Sequence, residues 1–519
     1  MAPGPFFFVL APKTRLSALV PGAWLLFFAV LGLSRRGGPG GATFAPVNFT
    51  TAFPLFASPY RKASFWRARG GVREILALTV PLILSTGSQS LMQFCDRIVL
   101  SWSGPSAVAA ATPAGLATMT MGALFSGVVC FAGTFIAHAT GARDGKAVGT
   151  YLWQGIWVAL LAQLLLFVPA WFAPEFFSLF GHGEELAAME SAYFRILCGT
   201  QVVALLQQSF SGFFTGRGRT AVVAKVTALS MLLNVALDFA LVLGTPWTPA
   251  FGIEGAAWAT VFSAAAGVLV FGLMIFTRKN EEEFGVFSRW RISPPELGRL
   301  VRFGLPSGFQ FLVDNGCFTW LLMVLGSLGT LELAASNIAF QIEVLAFLPL
   351  IGLGVGCSVA VGQHQGARRP DRSERSIRSA ARVMNLYCGL FVCAVLLVPG
   401  LFLFPFRLGA DPEGFAPIFA LTEKLLRFVV LFVVCDGFFQ VYGNALKGAG
   451  ETKFVMEVIV VCAVALLGVA PMLTVRLGGG IYPVWCDVLA YAVVTSTLFF
   501  RRVRSGKWKR LDVLGRSAQ

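Results

Sequence analysis

The chain has 519 residues, of which 56% are hydrophobic and only 13% are charged, and its mean hydropathy is +0.73. Soluble globular domains carry about 25% charged residues, so this composition excludes an ordinary soluble domain and indicates a polytopic membrane protein. The net charge of +15 would suit a nucleic-acid-binding protein. The distribution of that charge argues against nucleic acid, as the loops show.

Twelve apolar segments after residue 75 are long enough to cross a bilayer as helices, which takes roughly 20 residues each. Their approximate bounds are 76–102, 108–137, 151–173, 190–214, 222–244, 253–276, 300–325, 333–361, 383–406, 417–446, 454–475 and 480–500. Most Lys and Arg residues precede the first segment, lie in alternate loops or follow residue 500. This positive-inside bias predicts an inner (plasma) membrane protein with both termini in the cytoplasm and no nucleic-acid partner.

Two polar patterns between apolar segments occur twice. The run FAGTFIAHATGARDGK at 131–146 resembles GCSVAVGQHQGARRPD at 356–371, and GFFTGRGRT at 212–220 resembles GNALKGAGET at 443–452. Gly141 and Gly366 are 225 positions apart, whereas Thr220 and Thr452 are 232 apart. The nearly equal shifts predict an all-α protein of two six-helix lobes. Because each lobe has an even number of helices, their pseudo-two-fold axis should run along the membrane normal, as in transporters built from parallel repeats.

The same landmarks predict the domain boundaries. They are an N-terminal extension at 1–72, a first lobe at 73–277, a cytoplasmic linker at 278–298, a second lobe at 299–500 and a basic cytoplasmic tail at 501–519. In the extension, residues 16–34 could be an extra helix or a stretch upstream of the true start codon. The linker is expected to lie at the lipid interface through Phe284, Phe287 and Trp290.

Acidic residues inside the first-lobe segments are candidate functional residues, because an ionisable side chain costs at least ~2.5 kcal/mol at that depth. Asp96 lies in segment 1, and Asn234 and Asp238 lie in segment 5. The i,i+4 spacing places Asn234 and Asp238 on one helix face, where an amide and a carboxylate suit a small hard cation or a proton. The alternatives are a structural ion pair for Asp96 and inter-helix hydrogen bonds for the other two.

The second lobe carries three acids at comparable depth, namely Asp314, Glu343 and Asp436. Each could face a substrate or be a buried neutral acid. Gln93 and Gln310 could bind cargo or neighbouring helices. Pro81 and Pro306 occupy matched positions early in each lobe, where they predict either helix breaks or N-terminal prolines.

Catalytic and metal-binding signals are weak. The ten Cys residues contain no CxxC pair, and the three His residues are scattered. We find no convergent His/Asp or Ser/Lys set and no GxxxxGK[ST] sequence. The sequence therefore predicts neither an enzyme nor a bound metal or cofactor.

Six motifs in order resemble the multidrug and toxic compound extrusion (MATE) family over residues 73–500. They are the acid of segment 1 followed by VAAAT at 108–112, the GARDGK and GARRPD turns, the TGRGRT and KGAGET loops, and GIEGAAWAT at the start of segment 6. The resemblance implies a monomeric alternating-access antiporter. It would lie in the lipid bilayer and expel amphipathic, often cationic, organic compounds in exchange for Na⁺ or H⁺.

The resemblance also implies roles for individual residues. A cation site would use Asp96, Asn234, Asp238 and Thr260, with the Ala256 carbonyl nearby. Asp314 and Asp436 match second-lobe acids of the family, whereas Glu343 has no counterpart that we identify. The alternatives are a lipid-linked precursor flippase of the same superfamily and an exporter of one metabolite. A flippase would need a cavity rich in Arg and Lys, and only Arg97 and Arg195 are expected inside the membrane.

Overall fold

The computed structural model describes residue 66 and residues 68–179, 183–246, 248–407 and 412–515. These residues belong to one compact unit, 61–519. The predicted extra helix at 16–34 lies outside the described residues.

The described chain is all-α. We label its twelve transmembrane helices α1–α12. The first-lobe helices are α1 (Val72–Ser103), α2 (Pro105–Gly141), α3 (Gly145–Trp171), α4 (Glu184–Gly199 and Gln201–Gly216), α5 (Thr220–Val242) and α6 (Gly252–Ile275). The second-lobe helices are α7 (Pro294–Gly326), α8 (Thr330–Gly366), α9 (Pro370–Leu397), α10 (Pro412–Phe438, a π-helical turn Phe439–Gly443 and Asn444–Gly448), α11 (Thr452–Arg476, with a π-helical turn Val464–Val469) and α12 (Ile481–Ser505). Three short helices, Ala173–Ser178, Arg278–Phe284 and Pro399–Arg407, lie between them.

Ten of these helices are continuous, long and apolar enough to cross a membrane. The other two are α4, which breaks at Thr200 into two helices of 16 residues each, and α10, which carries Glu423, Lys424 and Arg427 and is interrupted by the π-helical turn. Pro81 and Pro306 do not break their helices, because α1 and α7 continue past them. Both prolines lie well inside the helix and not at its N-terminus. Both alternatives given for these prolines were therefore wrong.

The helices pack into two lobes with matching neighbours. α1 packs on α5 in the first lobe as α7 packs on α11 in the second, and α4 packs on α2 and α6 as α10 packs on α8 and α12. Each lobe has its own apolar core, one around Phe135, Leu152 and Phe213 and the other around Leu325, Val429 and Trp485. The lobes meet where α1 packs on α8 and α2 packs on α7 and α8, so the contact is itself pseudo-symmetric.

The backbone repeats where the sequence does. α2 and α8 each have 37 residues and each follow a glycine of positive φ, Gly104 and Gly329. Each helix ends at a Gly-Ala-Arg turn whose arginine is left-handed, with φ of 57° at Arg143 and 54° at Arg368. The predicted duplication is therefore confirmed in the geometry.

The two Gly-Ala-Arg turns mark one end of the bundle, which we call the basic end. Here the lobes approach so closely that a Cβ on Gly141 would clash with the Gln363 carbonyl, and one on Gly366 with the His138 carbonyl. Higher up, Cys130 and the half-buried Lys447 keep accessible surface although protein surrounds them. The two residues lie within electrostatic range of each other across the lobes, which are in close contact at the basic end, the closed end of the structure.

The linker packs against lobe one. Its short helix Arg278–Phe284 starts at Thr277, whose hydroxyl accepts a bond from Asn280, and ends at the left-handed Gly285. Trp153 and Trp157 of α3 donate to the carbonyls of Val286 and Trp290 at 2.6 and 2.7 Å. Among the three aromatic residues predicted at the interface, Phe287 and Trp290 are exposed, whereas Phe284 is buried in the first-lobe core.

The segment after α12, residues 507–515, crosses the basic end, and we call it the strap. Trp508 is buried in the second-lobe core, whereas Val513 and Leu514 are buried in the first-lobe core. Gln365 Nε2 donates to the Lys509 carbonyl at 3.0 Å, and Arg299 Nη1 to the Leu514 carbonyl at 2.8 Å. The strap therefore connects both lobes.

Candidate cation and substrate sites

The first candidate site forms because α1 and α5 run side by side. Ser85 of α1 donates a hydrogen bond to Thr227 of α5 at 3.0 Å, and both side chains are buried. Asp96 and Asp238 each follow these residues by eleven positions, which is about three helical turns. The same packed faces therefore place the two carboxylates opposite each other.

Asn234 joins the two acids. When its amide nitrogen faces the carboxylates, Nδ2 donates to Asp96 Oδ1 at 2.7 Å and to Asp238 Oδ2 at 3.2 Å. The opposite orientation would set the amide oxygen against two acceptors, so this orientation is the one that satisfies the group. Asn234 and Asp238 are fully buried, and Asp96 is half-buried.

The two carboxylates lie within hydrogen-bonding range of each other. Two adjacent carboxylates repel unless a proton or a cation lies between them. Asp238 Oδ1 is also buried without a hydrogen-bond partner among the described residues. This arrangement can hold a proton or a small hard cation.

The other residues implied for this site lie beside it. The Thr260 hydroxyl donates to the Ala256 carbonyl at 3.1 Å, so in this state both groups bond each other and not Asp96 or Asp238. Arg97 points to α2, where Nη1 donates to the Thr112 hydroxyl at 2.6 Å. Tyr193 of α4, which the sequence reasoning missed, lies within electrostatic range of both carboxylates.

A second acidic cluster lies in lobe two. Asp314 of α7 accepts a hydrogen bond from the Tyr491 hydroxyl of α12 at 2.9 Å. The nearly buried Asp436 of α10 lies within electrostatic range of Glu343 of α8 and of Asp314. Three helices therefore bring together the three acids that the sequence singled out, including Glu343.

Polar neighbours of this cluster divide into expected and missed residues. Gln310 is buried and its Oε1 has no partner in the described structure, whereas Gln93 is exposed on α1. Lys447 lies within electrostatic range of Asp314. Sequence reasoning counted Lys447 with the loop residues and therefore missed a cation beside the second acidic cluster. Its signal was its place directly after the apolar run that ends α10.

The described residues contain no group of three or more His, Cys, Asp or Glu side chains that could hold a metal ion.

The MatE family model matches residues 81–240 and 306–472, which together are more than half of the chain and fall one in each lobe.

Relatives and solved structures agree with this match. A protein from Pseudomonas putida named probable multidrug resistance protein NorM is 27% identical over 459 residues, covering 86% of this chain and 96% of the relative. A solved structure of MATE in the bent conformation superposes with a TM-score of 0.76 at 21% identity, covering 86% of this chain and 98% of the other. A MOP superfamily transporter from Pyrococcus furiosus, described as having a binding pocket of reverse polarity, gives a TM-score of 0.75 at 21% identity over 88% of this chain and all of the other.

The twelve-helix duplicated fold, the matched turns and the family match in both lobes lead to one conclusion. The chain belongs to the MatE family and is a multi-pass membrane transporter of the MATE efflux type.

Proposed function

We propose that this transporter is an antiporter that exports amphipathic, often cationic, organic compounds in exchange for Na⁺ or H⁺. The observation that carries the proposal is the contact between Asp96, Asn234 and Asp238, which sets two carboxylates from two helices against one shared amide. A proton or a cation there changes the favoured packing of α1 on α5. The binding of the ion therefore biases the arrangement of the lobes.

The second-lobe cluster supplies the cargo side of the exchange in this proposal. Asp314, Glu343 and Asp436 lie within electrostatic range of one another or of Lys447, which in turn lies near Cys130. A cluster of acidic groups attracts an organic cation. Gln310 and Gln93 are further hydrogen-bonding groups that we assign to the binding of the cargo or of a second cation.

The basic end is the cytoplasmic end in this proposal, because positive loops stay inside. The ion then moves inward with the membrane potential, which supplies about 2.3 kcal/mol per charge at 100 mV. In this orientation the linker between the lobes, which are residues 73–277 and 299–500, is cytoplasmic. It makes the closed end of the structure the inner gate.

The test is uphill efflux of ethidium from liposomes that contain the purified protein, with a Na⁺ gradient and a pH gradient imposed separately. We expect one gradient to drive efflux and Asp238→Asn to abolish it. Asp487→Asn is the matched control, because Asp487 is a half-buried acid of α12 that accepts a bond from Thr474 at 2.8 Å, in the lobe opposite the contact of Asp96, Asn234 and Asp238.

Efflux under neither gradient would contradict the proposal. An exporter of one metabolite, or a lipid-linked precursor flippase, would then be favoured. Lys447 is a cation that suits an anionic cargo, but three acids lie in the same region. Normal efflux by Asp238→Asn would contradict the first-lobe cation site and leave the antiport itself standing.

A further inference from the structure

Five arginines line one cavity at the centre of the basic end. The cavity has a volume of about 540 Å³, and its charged lining consists of Arg69, Arg143, Arg368, Arg369 and Arg372. No aspartate or glutamate lines it. None of the five side chains forms an ion pair within 4 Å in the described part of the chain.

The arginines come from both lobes. Arg143 belongs to the first-lobe turn, and Arg368 belongs to its second-lobe counterpart. Arg69 precedes α1 and is held beside α9, because Ser379 donates to the Gly70 carbonyl at 2.8 Å and Arg375 donates to the Arg69 carbonyl at 3.2 Å. Both lobes therefore form the cavity, which is complete only when the basic end is closed.

In each of the two turns an arginine occupies a strained, left-handed backbone position. Equivalent backbone hydrogen bonds close the two turns. The Asp144 N–H donates to the Ala139 carbonyl, and the Arg369 N–H donates to the His364 carbonyl, both at 2.9 Å. In such helix ends the left-handed position is usually glycine. A residue with a Cβ costs about 1–2 kcal/mol there. Both repeats place an arginine at that position and direct it into one cavity, which indicates a use for the charge.

Two carboxylates near this end have other hydrogen-bond or ion-pair partners, although Glu74 also lies within electrostatic range of Arg69. Asp144 accepts a hydrogen bond from the Ala147 N–H at 3.0 Å at the start of α3. Glu74 pairs with His364 at 3.1 Å and accepts a bond from the Gly70 N–H at 2.7 Å. The cavity therefore concentrates five positive charges that no carboxylate in its lining offsets.

We propose that this cavity binds a phosphate group, either of a soluble phosphate compound or of an anionic lipid. Guanidinium groups bind phosphate oxygens in pairs, and several arginines in one recess are suited to a phosphate of two or more charges. Because the site exists only when both turns meet, the bound anion stabilises the state in which the basic end is closed. The proposal does not depend on the identity of the cargo or of the coupling ion.

The experiment uses the full chain in lipid nanodiscs and measures its thermal unfolding midpoint. One arm adds inorganic pyrophosphate to discs of phosphatidylcholine. The other arm replaces part of the phosphatidylcholine by phosphatidylglycerol. We expect at least one arm to raise the midpoint, since a ligand that binds the folded state stabilises it. A response to pyrophosphate indicates a soluble phosphate, and a response to phosphatidylglycerol alone indicates a lipid headgroup.

The variant Arg143→Asn with Arg368→Asn removes two charges and keeps the turns, because asparagine tolerates the left-handed conformation. We expect it to weaken binding at least about tenfold. Arg372→Gln, which leaves both turns unchanged, should weaken binding as well. The matched control is Arg501→Gln with Arg504→Gln, which removes two exposed charges of the same end outside the cavity and should respond like the wild type.

Absence of any shift in the wild type would overturn the proposal. An equal response of the cavity variants and the control would also overturn it, because that result means a general attraction of anions to a positive surface.

Discussion

His138 and Gln363 occupy the same position in the two repeats, and each bonds to a glycine carbonyl of the opposite lobe. His138 Nε2 lies 2.7 Å from the Gly448 oxygen, and Gln363 Nε2 donates to the Gly216 oxygen at 2.8 Å. A carbonyl only accepts, so His138 carries its proton on Nε2. The two bonds form a reciprocal pair that joins α2 to α10 and α8 to α4 at the basic end.

Removing this pair should loosen the closed basic end. Each hydrogen bond contributes about 1 kcal/mol, so His138→Ala with Gln363→Ala should shift the equilibrium toward separation by about tenfold or more. Distances between spin labels at positions 146 and 371, in a chain without other cysteines, would report the change. His138→Gln is the control, because glutamine can make the same bond from the pseudo-equivalent position. An unchanged distance distribution in the double variant would contradict the role of the pair.

Gly366→Ala should have the same direction of effect through steric exclusion. Its Cβ would clash with the His138 carbonyl, and backbone cannot move aside cheaply. We expect a longer label distance and a lower thermal midpoint. Gly389→Ala in α9 meets no atom within 4 Å, so it should be neutral or stabilise slightly. A midpoint equal to that of the control would show that the lobes do not close as tightly in the membrane.

Asn234→Ala tests the shared amide of the first-lobe site. Without the donor, Asp96 and Asp238 face each other with less compensation, and we expect the concentration of Na⁺ or H⁺ that drives half-maximal efflux to change about tenfold or more. The matched control is Asn385→Ala in α9, where Nδ2 donates to the Ala381 carbonyl of the same helix at 2.7 Å. Equal ion dependence in both variants would mean that Asn234 only connects helices.

Tyr491→Phe tests the second-lobe cluster. It removes the hydroxyl that donates to Asp314 at 2.9 Å and leaves the ring in place. A hydrogen bond to a charged group contributes about 1.5–3 kcal/mol, so the affinity for a cationic cargo should change about tenfold or more while the ion dependence stays the same. Tyr387→Phe, whose hydroxyl donates to the Ala346 carbonyl at 3.2 Å, is the control. A change in ion dependence alone would assign Asp314 to coupling.

Trp508→Ala tests the strap. Trp508 is 1% exposed and its Nε1 donates to the Val503 carbonyl at 2.9 Å, so truncation of this ring should cost about 3 kcal/mol. We expect a lower thermal midpoint and a more open basic end. Leu511→Ala, which is 38% exposed on the same segment, should change little. Similar midpoints for the two variants would contradict the bridging role of the strap.

Sequence alone determined the architecture because the bilayer allows so few solutions. A run of about 20 apolar residues must be a helix, since lipid offers no partner to a backbone amide. Two motif pairs with almost the same spacing then predicted the two lobes, and Arg143 and Arg368 share even their left-handed backbone. The i,i+4 spacing of Asn234 and Asp238 likewise predicted one face of one helix.

Contacts between distant segments were decided only by the tertiary structure. No local pattern shows that Asp96 meets Asn234 across two helices, that Glu343 lies near Asp436, or that Lys447 lies near Asp314. The sequence predicted that strap residues such as Trp508 belong to a basic tail, whereas in the structure the strap residues are buried in the cores of both lobes. Periodicity fixes which face of a helix is polar, whereas the partner of that face depends on how twelve helices pack together.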